Sequence, residues 1–166
     1  FYKTYSKEIE ETKVLAGKEV GIDTAKGDIF KSPVDFIGGN IGLYAAKCPS
    51  RFANYIYGKR TTTSNLKLNF ECDPYPPAGA YVLHLSAQDN DAKSPCNIRI
   101  AVNGKTIFEG PNKFMRLGWS VEKFTIPFDC LKRGNVLTIE NIEDTDNSNG
   151  PPWFMVNYAV IKKAVQ

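Results

Sequence analysis

An antiparallel β-sandwich of about eight strands is the fold class this sequence predicts, and three observations carry it. Short segments alternate apolar with polar positions, as in Leu66-Lys-Leu-Asn-Phe70, so that one face of each turns inward. Turn signals such as Asn103-Gly104 and Gly134-Asn135 sit between these segments. No long helical periodicity separates them, so packed antiparallel sheets are left to bury the apolar faces.

The elements follow in order. Residues 1–13 are polar and charged, with Ile9 as the one aliphatic residue, and read as a lead-in or a first edge strand. Residues 14–22 alternate imperfectly around Gly17 and Gly21, and a turn or two of helix fits only residues 12–18 or 128–132. Residues 23–47 scatter Ile29, Phe30, Val34, Phe36 and Ile37 among glycines, which suits short strands and loops. Residues 52–57, aromatic and β-branched, form a strand or binding loop, and residues 66–70 a strand. The run Asp73-Pro-Tyr-Pro-Pro is a loop, because proline brings no amide donor to a ladder. Residues 81–87 form a strand, and residues 88–95 a polar loop. Ile98, Ile100 and Val102 share one strand face before the Asn103-Gly104 hairpin, and residues 106–108 return. Strands over residues 121–128, 136–140 and 154–161 complete the set, the last after a long polar loop.

Composition narrows the function classes. A chain of 166 residues with 42% hydrophobic content is predicted to form a single domain over residues 1–166 with a real core. Its start at Phe1 without methionine predicts a piece of a longer multidomain protein. The net charge of +3 is spread thinly, which argues against nucleic acid as a partner. No apolar run approaches a membrane span of about 20 residues. Cys48, Cys72, Cys96 and Cys130 lack metal-ligand spacing and are either all paired or all buried free thiols.

Several stretches resemble the galactose-binding-like superfamily, which includes many carbohydrate-binding modules. Val102-Asn-Gly104 resembles its hairpin. Phe124-Thr-Ile-Pro-Phe128, Leu131 and Gly134-Asn-Val-Leu-Thr-Ile139 resemble its "f-x-I-P…L…G-x-N-x-L-x-I" stretch. Phe154-Met-Val-Asn-Tyr-Ala-Val-Ile161 resembles its closing strand, and Tyr81-Val-Leu-His-Leu-Ser-Ala87 an earlier one. Arg116-Leu-Gly118 before residues 124–128 is similar to a corner in the accessory β-sandwich of rhamnogalacturonan lyases. The resemblance covers about residues 79–163 and implies a jelly-roll sandwich. It implies a non-catalytic module that tethers an attached polysaccharide-degrading enzyme to its glycan, in a secreted or cell-surface bacterial setting. The competing class is a sandwich that only braces a catalytic neighbour.

Sugar recognition needs an aromatic face against the C–H face of a pyranose and a few polar groups to orient it. In related modules the ligand sits at the loop apex, which implicates Trp119, Trp153, Asn147 and Asn149. Tyr44, Tyr55 and Tyr57 are further stacking candidates, with Arg51, Arg60 and Arg116 as polar partners. The structural alternatives are a Trp119 that plugs the core, a half-buried Trp153 and asparagines that only build turns. Related modules also carry a structural calcium near the N-terminus and last strand. Glu8, Glu10 and Asn157 are the candidate ligands, although Asn157 stands where many relatives have Asp; Asp144 and Asp146 form a second oxygen pair. Catalysis finds little support. The single histidine, His84, lies in an alternating strand, and no nucleophile elbow, phosphate loop or zinc-protease motif occurs.

Overall fold

In the computed structural model, residues 4–44, 50–90 and 94–165 are described. Among these residues, one α-helix, α1 (Ser6–Glu19), precedes eleven strands. These are β1 (Ile29–Lys31), β2 (Phe36–Ile37), β3 (Asn40–Tyr44), β4 (Arg51–Ile56), β5 (Asn65–Glu71) and β6 (Ala80–Asn90). They continue with β7 (Asn97–Val102), β8 (Lys105–Pro111), β9 (Ser120–Pro127), β10 (Gly134–Asn141) and β11 (Trp153–Lys163). The first sheet runs β3-β4-β11-β6-β9, with β1 also on β11, and the second runs β2-β5-β10-β7-β8. All strand pairs are antiparallel, so the structure is the expected jelly-roll sandwich.

The core lies between the sheets. Leu66, Leu68, Ile98, Ile100, Leu137 and Ile139 of the second sheet meet Leu83, Leu85, Ile126, Phe154 and Val156 of the first. The Asn103-Gly104 turn has φ of 52° and 82°, the left-handed pair that an Asn-Gly hairpin supplies. The Asn103 side chain also ties the hairpin down. Its Nδ2 donates to the Cys130 carbonyl at 2.8 Å, and its Oδ1 accepts from the Val136 amide at 2.9 Å.

Three expectations are corrected. The N-terminal segment is neither a lead-in nor an edge strand, and its helix exceeds a turn or two: α1 has 14 residues. It is rich in good helix formers, with Glu8 in its first turn and Lys18 in its last, where each suits the helix dipole. The apolar stripe is weak because Thr12 and Ala16 are its buried residues, which hid its period from sequence. The strand count rises from eight to eleven because residues 23–47 contribute the short strands β1, β2 and β3. Finally, the polar stretch from residue 88 is not wholly loop, since β6 continues to Asn90.

A bulge decides what the outer face of the first sheet presents. The β11–β6 register shifts between Val156 and Tyr158, so Asn157 is an extra residue. Phe154 and Val156 before it, and Ala159 and Ile161 after it, point into the core. Met155 before it, and Tyr158 and Val160 after it, point outward. Ala16 of α1 packs on Tyr158 and Val160, with Val20, Ile22, Phe30 and Val121 around them. The helix side thus covers one part of this outer face, and Met155 marks another.

Candidate functional site

The second part of that face is aromatic. Strand pairing sets Asn40 opposite Tyr55, Tyr55 opposite Met155, and Met155 opposite Gln88, a row across four strands. Tyr55 is the hub. Its ring meets Tyr44 edge-on at 4.2 Å, Tyr57 at 5.1 Å and Trp153 at 5.4 Å. Trp153 also lies 5.8 Å from Tyr57. Tyr44, Tyr55 and Trp153 are half-buried, so their rings share one accessible surface, while Tyr57 is buried behind them. The Tyr44 ring lies over a small-residue pair. Gly42 faces Ala53 across the β3–β4 pair, and a Cβ at Gly42 would stand 3.5 Å from the Tyr44 hydroxyl. That hydroxyl donates to the Asn40 carbonyl at 3.0 Å. Burial, reinforced by the Tyr55 phenol, pushes the Tyr44 and Tyr57 hydroxyls well above the ordinary phenol range. Both stay protonated at neutral pH, with the Tyr44 proton already donated in a hydrogen bond to the Asn40 carbonyl.

Trp119 closes one side. It is 8% exposed and packs with Ala53 and Met155, so it serves as a wall of the face more than as an open platform. The Arg51 guanidinium lies 5.7 Å from its ring centre. Two hydrogen bonds to Glu19, at 2.9 and 3.0 Å, hold that guanidinium, with longer contacts to Ser86 and Asn157. Burial pushes the Glu19 carboxyl up, but hydrogen bonds from Arg51 and Tyr158 outweigh it and hold the pKa below the ordinary value.

Five buried side-chain polar atoms among the described residues have no hydrogen-bond partner, and three of them lie on this face. They are both amide atoms of Gln88 and the indole Nε1 of Trp153. Gln88 is fully buried. An unsatisfied buried polar group costs about 1–3 kcal/mol, so such groups are rare without a water or ligand to complete them.

The remaining binding candidates are on loops. Asn147 and Asn149 are exposed and shape their own loop: Asn147 donates to the Pro151 carbonyl at 3.0 Å and accepts from the Asn149 amide at 3.0 Å. Arg60 pairs with Asp144 at 2.8 Å and Asp146 at 3.8 Å in an exposed contact between the 57–64 and 142–152 loops. The backbones touch there, since a Cβ at Gly58 would stand 2.7 Å from the Glu143 carbonyl oxygen. Arg116 is exposed on the loop that runs beside Asp89 towards Trp119. His84 is half-buried, and burial with Lys123 and Lys162 nearby depresses its pKa.

Of the expected calcium ligands, Glu8 and Asn157 line one cavity together with Glu11 and Arg51, and Glu10 is not among its lining residues. Glu8 and Glu10 are two apart on α1, which points them to different sides of the helix. Asn157 is buried, and its amide nitrogen is committed to the Phe52 carbonyl. The cation beside its Oδ1 is Arg51. The described residues contain no cluster of three or more carboxylates, histidines or cysteines suited to a metal. The donor set therefore does not fit a calcium ion. Cys72, Cys96 and Cys130 are free thiols, which corrects the paired alternative for these three; Cys48 lies outside the described residues.

Sequence reading missed Gln88, Met155 and Ala53. The expected loop over residues 88–95 hides Gln88, yet continuing the period-2 alternation of Ser86 places it on the outer face.

No protein-family model and no curated protein matches the chain. Solved structures share its fold. A family 35 carbohydrate-binding module from Clostridium thermocellum superposes with a TM-score of 0.54 at 17% identity, over 83% of this chain and 99% of that one. A family 35 module from an environmental isolate gives 0.52 at 15% identity, over 83% and 98%. A ruminal GH26 endo-β-1,4-mannanase gives 0.56 at 13% identity, with 85% of this chain matching 27% of that enzyme. At these identities the likeness establishes the jelly-roll sandwich.

Proposed function

We propose that the chain is a non-catalytic carbohydrate-binding module that tethers an attached polysaccharide-degrading enzyme to its glycan. The observation that carries this reading is the cluster of half-buried rings of Tyr44, Tyr55 and Trp153, packed over Ala53, Met155 and Trp119 and backed by buried Tyr57, on a sheet face whose other part the helix covers. Half-exposed rings on a rigid sheet suit a pyranose face, and their hydroxyls suit its oxygens. Weak binding of this kind raises the local concentration of a joined catalytic domain at its substrate. The shared fold supports this reading, since it occurs in isolated modules and within a mannanase. A secreted or cell-surface bacterial setting fits that role. Among the described residues, no helix is long and apolar enough to cross a membrane.

Affinity gel electrophoresis against a panel of polysaccharides tests the proposal. At least one polymer is expected to retard the protein, and Tyr55→Ala to abolish the retardation without unfolding the domain. Absence of binding across the panel, with Tyr55→Ala and Trp153→Ala both unfolding the domain, would replace this reading with that of a structural brace.

A further inference from the structure

We propose that Gln88 reads the sugar: its side-chain amide hydrogen-bonds a pair of adjacent hydroxyls on an uncharged pyranose, while the Trp153 indole N–H donates to another ring oxygen. This rests on the aromatic face being a glycan site. Three facts point here. The Gln88 amide and Trp153 Nε1 are the unsatisfied buried polar atoms of this face, and all three are on strands, Trp153 on β11 and Gln88 on β6 beside it. Strand-borne groups are held more precisely than loop-borne ones, as recognition requires. Two polar side chains on loops, Asn147 and Arg60, already spend bonds on loop geometry or ion pairs.

The chemistry of the orphaned groups selects the ligand. A carboxamide offers a donor and an acceptor side by side. Neighbouring hydroxyls, each able to donate and accept, match both at once. A uronate offers adjacent hydroxyls too, but it also brings a carboxylate, whose burial without a counter-charge is costly. The arginine packed into this cluster, Arg51, is already held by Glu19. The match therefore favours neutral sugars. Gln88 is enclosed in the free protein, and its cross-strand neighbour is Met155. An unbranched thioether chain swings aside readily, so Met155 is the side chain expected to yield when a sugar enters.

The test compares the wild type with Gln88→Met, which keeps the length of the side chain and removes its amide. Binding is measured to galactomannan, glucomannan and xylan as neutral probes and to polygalacturonate as the acidic one. We expect the wild type to bind a neutral polymer and not polygalacturonate. Gln88→Met is expected to melt no lower than the wild type, because it relieves two unsatisfied groups, and to lose affinity about tenfold or more. Undiminished binding by Gln88→Met, or wild-type binding to polygalacturonate alone, would overturn this inference and leave glycan binding standing. Failure of the wild type to bind any polymer would overturn the functional reading itself. If Gln88→Met does not fold, Trp153→Phe decides: weaker neutral-sugar binding supports the inference, and unchanged affinity overturns it.

Discussion

Glu19, at the last position of α1, grips Arg51, at the first position of β4, through paired hydrogen bonds of 2.9 and 3.0 Å. The same Arg51 lies against Trp119, so this ion pair joins the helix to the wall of the aromatic face. The arginine side chain is 13% exposed and the glutamate 29%, which places the pair between surface and buried bridges in strength.

Glu19→Gln is expected to lower stability by about 1–3 kcal/mol, since it leaves a mostly buried guanidinium without its counter-charge. Denaturant unfolding of the variant beside the wild type measures this. An unchanged midpoint would show that the pair adds nothing net.

The same pair sets a pH dependence. The folded-state pKa of Glu19 lies below its ordinary value of 4.5. Its contribution is therefore fully present above that value and is lost as the pH falls through the lower, folded-state pKa. Melting temperatures taken across the acid range should fall less steeply for Glu19→Gln than for the wild type. Parallel curves would assign the acid sensitivity to other carboxylates.

Chelation is expected to leave the domain unmoved. With Glu8 and Glu10 on different sides of α1 and Arg51 beside Asn157, the positive charge at this junction is built into the chain. Melting with excess chelator and with millimolar calcium should give the same midpoint. A rise of several degrees with calcium would reveal a site that this donor set does not predict.

Asn103→Ala should destabilise the sandwich by roughly 2–4 kcal/mol, combining a left-handed conformation that alanine resists with the loss of the side-chain bonds to Cys130, Asn135 and Val136. Asn103→Gly, which accepts the backbone angle, should recover part of that loss. Equal effects of the two would mean that the hydrogen bonds alone matter.

Thiol labelling separates the cysteines. Cys96 and Cys130 are buried, whereas Cys72 is half-buried, and burial raises the pKa of all three. Of these three, Cys72 should be alkylated first in the native protein, with all three reactive after denaturation. Rapid native labelling of Cys96 would contradict its enclosed position.

The sandwich itself was legible in the chain because its causes are local. Alternation at Leu66–Phe70, the Asn103-Gly104 turn and the proline-rich break at residues 73–77 each act through their own backbone geometry and the side on which a residue falls. The tyrosines and Trp153 were also legible as candidates, since large rings in a β-rich chain are either core or contact surface. Their convergence was not. It depends on β3, β4 and β11 lying side by side, a pairing between segments about a hundred residues apart. The bulge at Asn157 likewise sends Tyr158 and Val160 outward under the helix, although unbroken alternation from Phe154 would have placed them in the core. Gln88 became visible only as a group without partners. Which polar atoms remain unsatisfied depends on every neighbour at once, and strand order and register, set by long-range packing, choose those neighbours.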